Sequence, residues 1–246
     1  MIEAIQKYWS RDAKSYERAV CSTLKTKSAR NSWQELFSEA LGEGKFNILD
    51  VGTGPGIVAI MLAELGHNVI GVDFSEEMLD TARENASNFN LDVKFRKGDA
   101  ERLPFVDGSF DAVVSRYVLW TVPGPEKAIA EWKRVLKPGG KVVIVDGNWY
   151  RNENSIKRKC WHALSIILVV ITERRNPFTH KFSAELKSKL WSIKADRPDA
   201  DRKMLEKIGF GDIRVKEEVH RRTLTKMEYL KYGYQGDAFM IIGTKT

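Results

Sequence analysis

Cysteine is nearly absent. Cys21 and Cys160 are the only two in 246 residues, and neither belongs to a C-x-x-C pair. That excludes a disulfide scaffold and a cysteine-rich zinc site, and it suits a reducing compartment. Histidine is scarce as well: His67, His162, His180 and His220 form no ligand-spaced cluster, so no metal is expected. No apolar run approaches the ~20 residues of a membrane span. The longest, Ala163–Ile171, has nine residues and includes Ser165. The N-terminus, M-I-E-A-I-Q-K-Y-W-S-R-D, lacks the apolar core of a secretory signal, so a cytoplasmic location is expected. Repeats, low-complexity tracts and long linkers are lacking, which predicts one domain rather than several. A chain of this length buries roughly 70–75% of its unfolded surface, enough for a full core.

The positive charge is concentrated. The net charge is +7, from 40 Lys/Arg and 33 Asp/Glu. Residues 151–203 hold 13 basic and 6 acidic residues, which is the whole excess; the rest of the chain is balanced. Such a segment serves either as a solvated helical face or as an attractor for an anionic substrate, nucleic acid or an anionic membrane surface.

Hydrophobic periodicity predicts helix over residues 1–45, with Trp33, Phe37 and Leu41 along one face and Gly42 and Gly44 ending it. Short apolar runs then alternate with helical segments. Strands are predicted at Phe46–Val51, Asn68–Asp73, Val93–Arg96, Phe110–Ser115 and Lys141–Asp146. Helices are predicted at Ile57–Leu65, Glu76–Ala86 (with Ser75 as N-cap) and Pro125–Leu136, the last ended by Pro138-Gly139-Gly140. Alternation of this kind is an α/β, doubly wound parallel sheet with helices on both faces. Residues 151–203 read as a basic helical insert after the fifth strand, with Ala163–Ile171 buried and facing a pocket. Residues 204–210 read as a helix end, and Ile213–His220 and Ala238–Thr244 as two further strands.

In an open parallel sheet, ligands bind beyond the carboxyl ends of the strands. After the first strand comes Asp50-Val51-Gly52-Thr53-Gly54-Pro55-Gly56. Glycines at alternate positions let the backbone approach a ligand and turn straight into a helix, whose free N–H groups favour anions. The dinucleotide fingerprint G-x-G-x-x-G fails at its third glycine, where Ile57 stands. Asp73 ends the second strand, as a carboxylate for ribose hydroxyls should. Phe74 and Met78 are placed to sandwich a flat base. Asp99, in Gly98-Asp99-Ala100-Glu101, is placed to accept from an exocyclic amine.

D-V-G-T-G-P-G, G-V-D-F-S-E-E-M-L, G-D-A-E-R-L-P-F, F-D-A-V-V-S and R-V-L-K-P-G-G occur in that order. Together they resemble the class I S-adenosylmethionine-dependent methyltransferases, in the branch of quinone-biosynthesis and other small-molecule enzymes. The resemblance covers residues 46–146 and, more loosely, an N-terminal helical lid over 8–45. It implies a Rossmann-like, seven-stranded sheet with an antiparallel last strand: a lid at 1–45, a cofactor-binding core at 46–150, the insert at 151–203 and a closing helix and hairpin at 204–246. It also implies S-adenosylmethionine as cofactor. On that reading Asp50 and Gly52 lie by the methionine end, with Asp50 near the ammonium group. Thr53, Gly54 and Gly56 belong to the approaching loop. Asp73 holds the ribose, Phe74 and Met78 pack on the adenine, and Asp99 and Ala100 meet its amine edge. Ser115 and Arg116 line the methyl side, and Tyr8 and Tyr16 close over the cofactor. Relatives often carry His near positions 117 and 120; this chain has Tyr117 and Trp120 there, so the loop supplies no histidine base.

Methyl transfer from a sulfonium chiefly needs in-line alignment and exclusion of water, and a base only where an acceptor proton must leave early. The candidates for that base are His180, Tyr117 and Asp146. Trp120, Trp149, Tyr150 and His180 are candidates for the acceptor side. The expected acceptor is a small molecule with an apolar and an anionic part, and peripheral membrane contact is admitted by the basic insert. An RNA- or protein-directed methyltransferase is the alternative. Ser115-Arg116-Tyr117-Val118 lacks the N/D-P-P-aromatic pattern used on base amino groups, which argues against nucleic acid. A nicotinamide-dependent oxidoreductase or a non-catalytic nucleotide binder is the alternative from another class.

Overall fold

The computed structural model describes residue 5 and residues 26–149, 155–174 and 183–246. Five short parallel strands form the centre of the sheet: β1 (Asn47–Val51), β2 (Asn68–Asp73), β3 (Lys94–Lys97), β4 (Phe110–Arg116) and β5 (Leu136–Gly147). β6 (Phe210–Lys216) and β7 (Ala238–Lys245) complete it, with β7 antiparallel to both β5 and β6. The order is β3-β2-β1-β4-β5-β7-β6. The order reverses between β1 and β4, which opens a crevice at their carboxyl ends.

Successive strand residues point to opposite faces, so a strand covered on both sides must be apolar at every position. Ile48, Val114, Val143 and Met240 join one core layer, beneath α1 (Lys27–Leu41) and α2 (Ile57–Glu64). Their neighbours Leu49, Val113, Val142 and Ile241 join the other. There they meet α4 (Pro125–Val135) and α8 (Asp199–Ile208). In α1, Trp33 and Phe37 stack with ring centroids 5.8 Å apart, as their fourth-residue spacing requires. α3 (Glu76–Asn88) is capped by Ser75, whose hydroxyl accepts from the Met78 N–H.

The structure departs from sequence expectation in three places. β5 begins at Leu136, so α4 stops one residue early and Pro138-Gly139-Gly140 lies in a bulge against β4. β6 spans Phe210–Lys216 rather than 213–220. Glu218 adopts a left-handed conformation (φ 57°) and turns the chain into α9 (Val219–Thr223), so His220 lies on a helix. The apolar run sits in α5 (Ile156–Glu173), but it is not buried. Only Ser165 and Val169 are covered on this helix, while Leu164, Ile167, Val170 and Ile171 stay exposed. The reason is packing: α10 (Lys226–Tyr232) covers one face of α5, with the Trp161 ring N–H donating to the Leu230 carbonyl. No helix among the described residues is long and apolar enough to cross a membrane.

The segment after α5 contributes two short helices, α6 (Ala184–Ser188) and α7 (Trp191–Lys194), and is tied to the sheet by a buried charge cluster. Arg197 donates from Nε and Nη2 to both oxygens of Asp201 (2.8 and 2.6 Å) and from Nη2 to Asp146 at the end of β5 (2.9 Å). All three side chains are inaccessible to solvent. The guanidinium also lies over the rings of Trp191 and Phe239. Trp120 is clamped beside it: its N–H donates to Asp146, and its carbonyl accepts from the Ser192 hydroxyl.

Removing one partner of a buried ion pair strands the other in a medium that cannot solvate it. Arg197→Met is therefore expected to lower unfolding free energy by about 3–5 kcal/mol in urea. Arg202→Met, at the half-exposed Arg202–Glu206 pair, should cost less than about 1 kcal/mol. Equal losses would contradict the assignment.

Candidate functional site

The crevice beyond β1 and β4 holds a cleft of about 920 Å³. Its walls come from four strand ends and, at one point, Ile5. The first wall is the glycine turn after β1. Gly52 is at φ +70°, and a Cβ there would lie 2.3 Å from a Val118 methyl, so both space and backbone exclude a side chain. Gly54 is at φ +53°, but a Cβ would meet nothing within 4 Å, because this residue faces the cleft. The Gly52 and Thr53 N–H groups both donate to the Val72 carbonyl, holding the turn against the end of β2.

Asp73 joins that turn to the second wall. One carboxylate oxygen accepts from the Gly54 N–H (2.9 Å), the other from the Ser75 N–H (3.0 Å). Burial pushes its pKa up, against the lowering effect of these N–H bonds. A carboxylate oxygen has two lone pairs, so each retains capacity for a hydroxyl on the cleft side. Phe74 and Met78 line the cleft beside Asp73, and Asp99 and Ala100 line it beyond β3. Asp99 also accepts from the Glu101 N–H (2.9 Å), which shapes that turn.

The third wall follows β4. Arg116 is buried, with its guanidinium over the rings of Trp33 (5.0 Å) and Tyr117 (5.1 Å), and it presents positive charge at the cleft. Tyr117 takes a left-handed conformation (φ 62°) that aims its hydroxyl at His220 Nε2, 2.9 Å away. His220 Nδ1 lies 3.2 Å from the Gly236 carbonyl, which can only accept; the proton therefore belongs on Nδ1, and the Tyr117 hydroxyl donates to Nε2. Burial lowers the His220 pKa and keeps the ring neutral. Trp149 packs edge-on against Tyr117 (5.1 Å) and lies near the His220 ring.

Several sequence candidates stand elsewhere. Asp50 lies beneath the turn rather than on the cleft wall: one of its oxygens accepts from the Thr53 hydroxyl (2.6 Å) and the Ala59 N–H (3.1 Å). Thr53 serves that bond, and Gly56 is the cap before α2. The Ser115 hydroxyl donates to the Val51 carbonyl (3.0 Å), stitching β4 to β1. Asp146 is enclosed by Arg197, Trp120 and its own neighbour Gly147, away from the cleft. Trp120 and Trp149 line a separate recess of about 620 Å³ with Asn148 and residues 192–196. Tyr8, Tyr16, Tyr150 and His180 lie outside the described residues. Among the described residues no group of His, Cys, Asp and Glu is placed to hold a metal ion. Two features escaped sequence reasoning: His220 as partner of Tyr117, and Arg197 as partner of Asp146. Each depends on a contact distant in sequence.

Burial raises the Asp50 pKa from 3.8 to about 6, with the Thr53 hydrogen bond and the Arg116 charge only partly offsetting it. An acid whose value is raised by folding stabilises the fold below its unfolded value, and that contribution is lost as pH rises through the folded value. Asp50→Asn, uncharged throughout, should therefore gain about 2 kcal/mol relative to the native chain between pH 4 and pH 7 in urea unfolding. A pH-independent difference would show that Asp50 does not titrate in this window.

Residues 49–144 match the family model described as a methyltransferase domain. Demethylmenaquinone methyltransferase of Thermus thermophilus is 43% identical over 109 residues, covering 44% of this chain and 50% of that protein. The enzyme of the same name from Deinococcus radiodurans is 35% identical over 147 residues, covering 58% and 60%. The chain thus spans about half the length of the curated relatives it matches. The structure of a SAM-dependent methyltransferase from Aquifex aeolicus superposes with a TM-score of 0.57 at 20% identity, over 87% of this chain and 89% of that one, a likeness of fold. The buried Ile57 at the start of α2, where a dinucleotide turn would place glycine, agrees with the same assignment. Residues 49–144 of this chain are thus similar to a methyltransferase domain, in a fold shared with the structure of a SAM-dependent methyltransferase.

Proposed function

We propose that the chain binds S-adenosylmethionine in this cleft and transfers its methyl group to a small-molecule acceptor. The observation that carries the reading is Asp73, fixed by the Gly54 and Ser75 N–H groups on a wall shared with Phe74 and Met78. That is the arrangement an adenosine needs: a fixed acceptor for two hydroxyls beside an apolar slot for a flat base. When bound, the sulfonium supplies an already activated methyl group. The chain's part is placement. Asp73 fixes the ribose, Asp99 accepts from the adenine amine, and Arg116 attracts the carboxylate of the amino-acid end. Holding two reactants in attack geometry supplies roughly 7–11 kcal/mol.

We assign Tyr117 to act on the acceptor. The residue lines the cleft, and its hydroxyl donates to the His220 ring. A proton leaving the acceptor can be taken by the Tyr117 oxygen as its own proton passes to His220. His220 acts as a positioning residue through Tyr117. The acceptor type in the names of the relatives, a demethylated menaquinone, fits this chemistry in its reduced quinol form: an electron-rich aromatic carbon takes the methyl group as the C–S bond breaks, and the ring proton then leaves. The recess lined by Trp120 and Trp149 offers such a ring two indole faces among polar neighbours, Asn148, Ser192, Lys194 and Asp196.

Label from methyl-labelled S-adenosylmethionine should appear in a small-molecule fraction of cell extract that resists nuclease and protease. Label lost to either digestion would favour the RNA- or protein-directed alternative. Asp73→Ala should weaken S-adenosylhomocysteine binding by ~10- to 100-fold in calorimetry, the loss of one or two hydrogen bonds to a charged group. Unchanged binding would remove Asp73 from the site. Tyr117→Phe should leave cofactor affinity intact and lower kcat by ~100-fold or more on a demethylated quinol acceptor kept reduced in the assay. His220→Gln should produce a smaller loss and a shifted pH profile. An unaltered kcat in Tyr117→Phe would assign that residue to packing alone.

A further inference from the structure

α5 shows a surface that the methyl-transfer reading does not use. At ~100° per residue, Val170, Ile156, Ile167, Cys160, Ile171 and Leu164 fall within one arc of about 120°. All are exposed: Ile156 80%, Ile171 68%, Ile167 56%, and Val170 and Leu164 nearly half. Lys159 borders the arc on one side and Lys157 on the other, both exposed. The opposite face is where the helix is held. Trp161 donates to the Leu230 carbonyl, and the Ser165 hydroxyl donates to the Lys231 carbonyl (2.5 Å). The one acidic residue of α5, Glu173, is turned away from the arc and bound by Lys231 (2.7 Å) and Tyr232. α10, packed alongside, exposes Met227 and Leu230 together with Lys226.

A helix packed only against protein and water places its apolar stripe inward and its charges outward. Here the apolar stripe points outward with cations at its margins, and among the described residues of the helix no acid stands in it. We propose that α5 docks the protein on an anionic membrane surface, lying in the interface plane with Ile156, Ile167 and Ile171 inserted and Lys157 and Lys159 at headgroup level. The charge pattern selects this occupant over a second copy of the chain. Two copies meeting on this face would bring the same unneutralised lysines together. Long cationic side chains at the edge of an apolar face are instead suited to reach phosphates while their stems lie on hydrocarbon.

The first turn of α5 is also tied to the cleft region. Arg158 donates from Nη2 to the Trp149 carbonyl (2.5 Å), and the Trp149 ring packs on Tyr117 at the cleft wall. A bilayer touching α5 would therefore lie two side chains from the site where an apolar acceptor would react. The docking inference itself does not depend on the methyl-transfer reading.

Co-sedimentation of the full chain with vesicles tests it. Binding is expected to mixed phosphatidylcholine–phosphatidylglycerol vesicles at low salt, with loss in high salt and with pure phosphatidylcholine. Each cation removed should weaken binding about fivefold, so Lys157→Glu/Lys159→Glu should lose at least ~25-fold. Ile167→Ser/Ile171→Ser should lose ~10-fold or more with little change in thermal midpoint, because both side chains are more than half exposed. Three results would overturn the proposal. The first is a native chain that stays in the supernatant with anionic vesicles at low salt. The second is a serine variant that binds as well as the native chain. The third is a native dimer that ignores vesicles and that the serine variant converts to monomer, which would assign the face to self-association. S-adenosylhomocysteine binding, measured in parallel, distinguishes failure of docking from failure of the cofactor site.

Discussion

The two hydrogen bonds from backbone N–H groups to the Asp73 carboxylate are the constraint around which the cleft is built. Three structures meet at this side chain: the glycine turn after β1, the end of β2 and the start of α3. The turn carries one polar side chain between its glycines, Thr53, which donates to Asp50 beneath it. Gly52 and Gly54 occupy backbone conformations that make it pliable, and its position comes from what accepts its N–H groups: the Val72 carbonyl and Asp73. Asp50 does the same work from below, accepting from Thr53 and from the first turn of α2. Two buried carboxylates thus clamp the loop from opposite sides. Both are raised in pKa by that burial, a cost borne at the point where the backbone must approach a ligand.

A second buried charge system performs the corresponding task on the far side of the crevice. Arg197 neutralises Asp146 and Asp201, and Asp146 in turn holds the Trp120 N–H. The strand end at β5, the loop after β4 and the segment leading to α8 are fixed to each other by one guanidinium. The hydrogen-bonded fork of arginine suits this junction, since its planar donors reach both Asp201 oxygens side-on and Asp146 at the same time. Between the two clamps lie Arg116 and Tyr117. One carries charge and the other a polarised hydroxyl, both held by ring contacts rather than by solvent.

What the sequence made legible was local. Strand, turn and helix follow one another between residues 46 and 146, and the ligand-facing residues of such a sheet stand at strand ends. Gly52, Gly54, Asp73, Phe74, Met78 and Asp99 could therefore be named from position, Arg116 only through the family resemblance, and all of them line the cleft. Pairings across long separations left no such trace. Tyr117 and His220 are 103 residues apart, and Asp146 and Arg197 are 51 apart. Arg197 was indistinguishable in sequence from the solvated cations around it. His220 was hidden by the turn at Glu218, where a residue other than glycine takes the left-handed conformation and converts an alternating pattern into a helix start. In α5 the run from Ala163 to Ile171 is apolar all round, so periodicity could not reveal which face would be covered; the narrow contact with α10 decides it.

The central claim is that the Asp73 cleft is an adenosyl site of the sulfonium type rather than a nicotinamide site. Side-by-side calorimetric titration of the native chain with S-adenosylhomocysteine and with NADH tests it most directly. The account predicts saturable one-to-one binding of S-adenosylhomocysteine and no measurable heat with NADH. Saturable binding of NADH with none of S-adenosylhomocysteine would contradict it.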